Sequence, residues 1–141
     1  MKPKLHFTYD CVMMLLALTV LVTGIILHLK AYGIVVEPRQ VLKTVHYLAG
    51  FALAVFIIGH FATHAKWFVP VCERDPLYGT VFVLLIIAFL STLGTGIVKL
   101  CAHVRGLGLW HYWLGIAMSL LVIIHVSKAF PYFLKLVGKK Q

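Results

Sequence analysis

The chain has 141 residues, 62% of them hydrophobic and only 12% charged, with a mean hydropathy of +0.98 and a formal net charge of +9. A soluble domain carries about 25% charged residues, so this composition excludes an ordinary soluble enzyme or nucleic-acid-binding domain. Uncharged stretches cover 11–29, 44–65, 76–98 and 106–127. Each approaches or exceeds the ~20 residues of a membrane-crossing helix.

The prediction is an all-α, integral-membrane four-helix bundle of up-down-up-down topology. It forms one transmembrane domain, 1–141, with helices about 8–30, 41–68, 77–100 and 108–130. Basic residues cluster at the helix ends. Lys2, Lys4, Lys66, Arg74, Lys128, Lys135, Lys139 and Lys140 fall on one side, and Lys30, Arg39, Lys43, Lys99 and Arg105 on the other. Eight against five places both termini in the cytoplasm by the positive-inside rule. Membrane lipid is therefore the expected surrounding, and nucleic acid is not an expected partner.

The basic start and apolar run at the N-terminus resemble a signal peptide. The run is long and no A-x-A site follows, so it is expected to remain as the first helix. Asp10 stands at its inner mouth. There it reads as a complement to the helix dipole, the alternative being a proton-handling group near a quinone site. The helix carries Thr23-Gly24-Ile25 and ends near His28. A loop containing Pro38 follows. The second helix holds His46, Gly50, His60 and His64, and ends at an aromatic anchor with Trp67. A tight turn is expected over 70–76. The third helix has no histidine and repeats the signature as Thr95-Gly96-Ile97. The fourth holds His111, Gly115 and His125, and Pro131 is expected to break or kink it. The remaining tail, 131–141, is expected to lie along the membrane interface.

The chain therefore consists of two repeated helical hairpins. HYLAGFALAVFIIGH, 46–60, aligns with HYWLGIAMSLLVIIH, 111–125. Histidines fourteen residues apart lie on one helix face, about 21 Å apart along the axis. Helices two and four run in the same direction, so His46 and His111 share one depth and His60 and His125 another. Intramembrane ionisable groups are functional by default. Zinc would gather three or four ligands at one point. Two separated pairs instead suit two haem irons, each held by an axial histidine from either side. No CxxCH is present, so both haems would be non-covalent, b-type groups. Gly24, Gly50, Gly96 and Gly115 leave room for flat cofactors or for close helix approach. Lys43, Lys99 and Arg105 outside, and Lys66 and Lys128 inside, are candidate propionate partners.

This pattern resembles the di-haem core of respiratory cytochrome b. The small size and the run His46, Gly50, His60, His64, Trp67 are more similar to small bacterial four-helix b-type cytochromes. Those include the ones associated with flavinylated extracytosolic electron-transfer proteins. A similarity also extends to the gamma subunits of membrane formate dehydrogenases and hydrogenases. The resemblance implies transmembrane electron transfer in the cytoplasmic membrane of a prokaryote. Its partners would be a quinone at one haem and, at the other, a peripheral redox protein or larger respiratory complex. Gamma-type subunits take a ligand from the first helix, which makes His28 an alternative ligand. His64, Asp10 and Trp67 are candidates for a quinone or proton site. Two further readings stay open: a haem-containing membrane anchor of a larger oxidoreductase, and a haem-free four-helix transporter or metal-binding protein. Self-association into a homo-oligomer is also open.

Overall fold

A computed structural model describes the backbone of residues 3–138; within it, the side chains of 3–7, 67, 68, 71, 129 and 131–138 are outside the described set. Four long helices make up the chain: α1 (Pro3–His28), α2 (Arg39–Arg74), α3 (Pro76–Cys101) and α4 (Leu107–Gly138). A short 3₁₀ turn, Leu29–Tyr32, extends α1. Segments in all four are long and apolar enough to cross a membrane: Thr8–Tyr32, Arg39–Lys66, Pro76–Cys101 and Leu107–Lys128. The chain is a multi-pass, all-α membrane protein. Large apolar side chains line its outer surface, among them Leu15, Val55, Ile87 and Leu120, one from each helix. In lipid these are the solvated groups, because hydrocarbon rather than water is the solvent.

Neighbours in sequence are neighbours in space. The helix α1 packs on α2 and α4, and α3 packs on α4 and α2. Among the described residues the diagonal pairs, α1 with α3 and α2 with α4, make no backbone approach. The result is a square bundle in which α2 and α4 face each other across the axis. Its interior is thin in large side chains. The buried apolar residues are Ala49, Leu53, Ala54 and Ala88, and among the described residues no large side chain is fully buried.

Two helix ends lie beyond the expected boundaries. The helix α2 continues through Pro70 to Arg74, and α4 continues through Pro131 to Gly138. Each proline removes one N–H and crowds the preceding turn, which bends a helix without necessarily ending it. Membrane helices tolerate this better than soluble ones. The expected turn over 70–76 shrinks to Asp75 alone, and the expected interfacial tail begins as a continuation of α4.

Asp75 makes the one-residue turn workable. Its carboxylate accepts from the Tyr78 backbone N–H at 3.0 Å, and Pro76 occupies the first position of α3, the arrangement preferred at helix starts. Its other oxygen accepts from Lys128 Nζ at 3.2 Å, tying in α4. The Tyr78 N–H, followed by Lys128, holds the Asp75 carboxyl below the ordinary carboxylate range. A carboxyl with a depressed folded pKa adds stability that is complete above its unfolded value and is lost as pH falls through its folded value. Acid titration of unfolding in detergent should therefore show a loss on the acid side that Asp75→Ala flattens.

Close approach also shapes this end. A Cβ on Gly79 would sit 3.0 Å from Cys72 Cα and 2.9 Å from Cys72 Sγ. Because the obstacle is partly backbone, the helices must separate to admit it. Gly79→Ala should destabilise the bundle by about 1–3 kcal/mol, read as a lower midpoint of thermal unfolding in micelles. At the other end, Gly33 and Gly106 adopt φ of +79° and +81° in the turns that join α1 to α2 and α3 to α4, which side-chain-bearing residues rarely adopt.

Candidate functional site

His46 and His111 project from the diagonal helices α2 and α4. Their ring centres lie 6.1 Å apart, with planes at 84°. The described backbones of α2 and α4 stay apart, so the two imidazoles approach each other across the bundle axis. Thr23 Oγ1 lies 3.0 Å from His46 Nδ1 and 2.6 Å from the Thr19 carbonyl. A carbonyl only accepts, so the Thr23 hydroxyl proton goes to Thr19 and its oxygen accepts from His46 Nδ1–H. His111 Nδ1 is 3.1 Å from the Thr92 carbonyl and 3.1 Å from Thr95 Oγ1, whose own proton goes to Ser91 at 2.8 Å. The Thr92 carbonyl again forces the proton onto His111 Nδ1. Both rings are therefore fixed as Nδ1–H tautomers, and both Nε2 atoms keep a lone pair.

The glycines beside these threonines have a more specific role than making general room. A Cβ on Gly24 would lie 3.2 Å from His46 Cε1, and one on Gly96 would lie 3.1 Å from His111 Cε1. Thr23-Gly24 and Thr95-Gly96 are thus two copies of one seat. The threonine takes the ring proton and the glycine admits the ring edge. Gly50 and Gly115 lie one turn beyond His46 and His111 on the same helix faces. A Cβ on either would meet nothing within 4 Å.

His60 and His125, toward the end that bears the termini, have different surroundings. His125 Nδ1 is 2.9 Å from Tyr78 Oη, and its ring lies near Tyr78 and Phe82, with centres 5.8 Å apart in each case. His60 Nδ1 is shielded from solvent and has no aligned hydrogen-bond partner. Asp10 Oδ1 is nevertheless 3.3 Å away. The carboxylate sits off the N–H axis, where it acts by charge rather than as a directed acceptor. His64 lies one turn further along, its ring centre 4.6 Å from that of His60. Tyr9 passes over Gly59, and its hydroxyl donates to the Phe56 carbonyl at 2.6 Å.

The helix dipole does not account for Asp10. The helix α1 begins at Pro3, with no acidic residue in its first turn, and the dipole's influence falls off within that turn. His28 stacks on Tyr112, with ring centres 3.6 Å apart. Lys43 and Lys99 lie within electrostatic range of each other, and Lys99 within range of His46 and His111. Lys128 is paired with Asp75. Lys66, Lys99 and Arg105 are exposed. The side chain of Trp67 lies outside the described residues.

His46 and His111 thus meet across the bundle axis, while His60 and His125 lie within electrostatic range of each other at the other depth. Three of these rings have groups at Nδ1 that the sequence did not single out as site residues, Thr23, Thr92, Thr95 and Tyr78. The repeated Thr-Gly-Ile carried a signal for two of them. Metal-binding imidazoles typically have their second nitrogen oriented by such outer groups. A metal held between two imidazole nitrogens at about 2.0–2.1 Å would keep the ring centres roughly 6 Å apart. A T-shaped ring pair has a similar separation, so the fixed tautomers are the stronger argument. Among the described residues no group of three or more His, Cys, Asp or Glu side chains gathers as an ion site would need. Haem iron requires only axial ligands from the protein, and the outer pair fits that demand.

No protein-family model, curated protein or solved structure matches this chain.

Proposed function

We propose that the chain is a transmembrane electron-transfer cytochrome with two b-type haems. His46 and His111 hold the outer group, and His60 and His125 the inner one. The observation that carries this reading is the outer pair. Two imidazoles from diagonal helices meet across the bundle axis, each with Nδ1–H spent on a threonine or carbonyl and Nε2 left to bind. Haem would supply a one-electron carrier at each pair. The chain supplies the rest: Thr23 and Thr95 hold the rings in register, Gly24 and Gly96 admit them, and the apolar outer surface keeps them in the bilayer. Lys43, Lys99 and Arg105 are the outer cations that would meet the haem's carboxylates.

In this reading the protein lies in the cytoplasmic membrane of a prokaryote with both termini inside. It passes electrons between the quinone pool and a peripheral redox protein, alone or as part of a larger complex. A pyridine haemochrome assay on the purified chain tests it, and about two b haems per chain is the expected result. One haem would favour an anchor-type subunit and return attention to His28. No haem in a folded protein would favour a transporter and overturn the proposal.

A further inference from the structure

The two histidine pairs differ in the charge around them, and the difference runs along the membrane normal. Asp10 Oδ1 stands 3.3 Å from His60 Nδ1. The other three histidines face neutral oxygens at Nδ1: Thr23, Thr92 and Thr95 outside, and Tyr78 inside. The internal repeat makes the contrast sharper. Thr23 and Thr95 are 72 positions apart, as are Gly24 and Gly96, and the position 72 beyond Asp10 is Phe82. Both Asp10 and Phe82 lie beside an inner histidine, His60 and His125 respectively. One repeat therefore offers a carboxylate where the other offers a phenyl ring.

Among the described residues, the cations at this end of the bundle are Lys66, Arg74 and Lys128. Lys128, at the same end, is engaged by Asp75 at 3.2 Å, and Lys66 is exposed. His64 and His125 also stand near His60, and Tyr9 passes over Gly59 beside it. The outer end has the opposite balance. Lys99 lies in range of both outer rings, with Lys43 beyond it. The one outer carboxylate, Glu37, accepts from the Arg39 backbone N–H at 2.8 Å within its own loop. A negative charge beside a ligand raises its basicity and stabilises the oxidised, more positive iron. A cation nearby stabilises the reduced form.

We infer that Asp10 is a positioning residue for His60 whose charge makes the inner histidine pair the lower-potential site, so that electrons pass downhill from the terminus-bearing end of the bundle to the loop-bearing end. This rests on the di-haem reading. It adds an order to the two sites and a direction to the transfer. An electron leaving the inner site oxidises it by one and reduces the outer site by one, with no proton required at either pair of rings.

The test is a spectroelectrochemical titration of the haem-loaded chain in detergent, with Asp10→Asn, Asp10→Glu and Thr23→Val beside it. The parent should titrate in two waves. Asp10→Asn should raise the lower wave by about tenfold in the reduction equilibrium, which is 59 mV for one electron, and leave the upper wave in place. Asp10→Glu should largely restore the parent position. Thr23→Val should move the upper wave and leave the lower one. Two bound haems with neither wave moved by Asp10→Asn, with both moved equally, or with only the upper moved, would overturn the inference and leave the cytochrome reading standing. Absence of bound haem in the parent would overturn both.

Discussion

Replacing His60 with alanine is expected to lower bound haem from two per chain to one, while His64→Ala leaves two. The two residues lie one turn apart on α2 with their rings 4.6 Å from each other, so they share a face and nearly a depth. Helical phase does not separate them. From His46, fourteen steps and eighteen steps both return to the same side of the helix. Their partners in the repeat do separate them. His60 matches His125 in the second hairpin, whereas the position matching His64 is Ala129. His60 Nδ1 is shielded, and the Asp10 carboxylate stands 3.3 Å from it as a neighbouring charge.

Loss of an axial histidine removes a bond that no neighbour is built to replace. The expected change in the pyridine haemochrome reading is therefore a halving. His64→Ala should change the inner spectrum or potential slightly through its contact with His60 while preserving stoichiometry. If His64→Ala halves the haem content and His60→Ala does not, the inner pair is His64 with His125 and the repeat symmetry is broken at its most informative point.

The four helices and their pairing were legible because hydrocarbon imposes a simple demand, long uncharged runs with charges at the ends. The helix ends at Pro70 and Pro131 were not. Proline ends helices reliably where water can take the freed carbonyls, and α2 and α4 show that this rule weakens in a membrane bundle. The approach of His46 to His111 was legible because a fourteen-residue histidine spacing occurs twice and sets the two helices in one register.

What held those histidines was only half visible. Thr-Gly-Ile could be seen to repeat, but its function depends on α1 meeting α2 and α3 meeting α4 at the right height, which spacing within one helix does not encode. Thr92 contributes a backbone carbonyl, a group that every residue has. Tyr78 and Asp10 lie where the repeats diverge, so no shared motif marks them. Asp10 was further obscured by an expected helix start near residue 8. With the start at Pro3, its carboxylate is too deep to serve the dipole.

The seat formed by threonine and glycine leads to the second large effect. Gly96→Val is expected to cost the outer site its haem while the inner site keeps its own, and Gly24→Val should do the same from the other side. A Cβ at these positions would already lie 3.1 and 3.2 Å from the histidine Cε1 atoms, closer than ordinary van der Waals contact. Alanine asks the ring to give by a few tenths of an ångström. Valine adds two methyl groups on the same side, and its restricted χ1 in a helix leaves them little freedom to avoid the ring.

The displaced imidazole would lose its Nδ1–H bond to Thr95 or Thr23 as well as its place across the axis. Loss of such orienting groups lowers metal affinity by about 10–100-fold, enough to empty one of two sites during purification. Gly94→Ala is the control on the same helix, since Gly94 is exposed and a Cβ there meets nothing within 4 Å. Haem content near one per chain for Gly96→Val, with two for Gly94→Ala and a helical circular-dichroism spectrum for both, is the expected pattern. Retention of two haems in Gly96→Val would mean that the ring edge beside Gly96 is not fixed by ligation. His111 would then be a hydrogen-bonded core residue rather than an axial ligand.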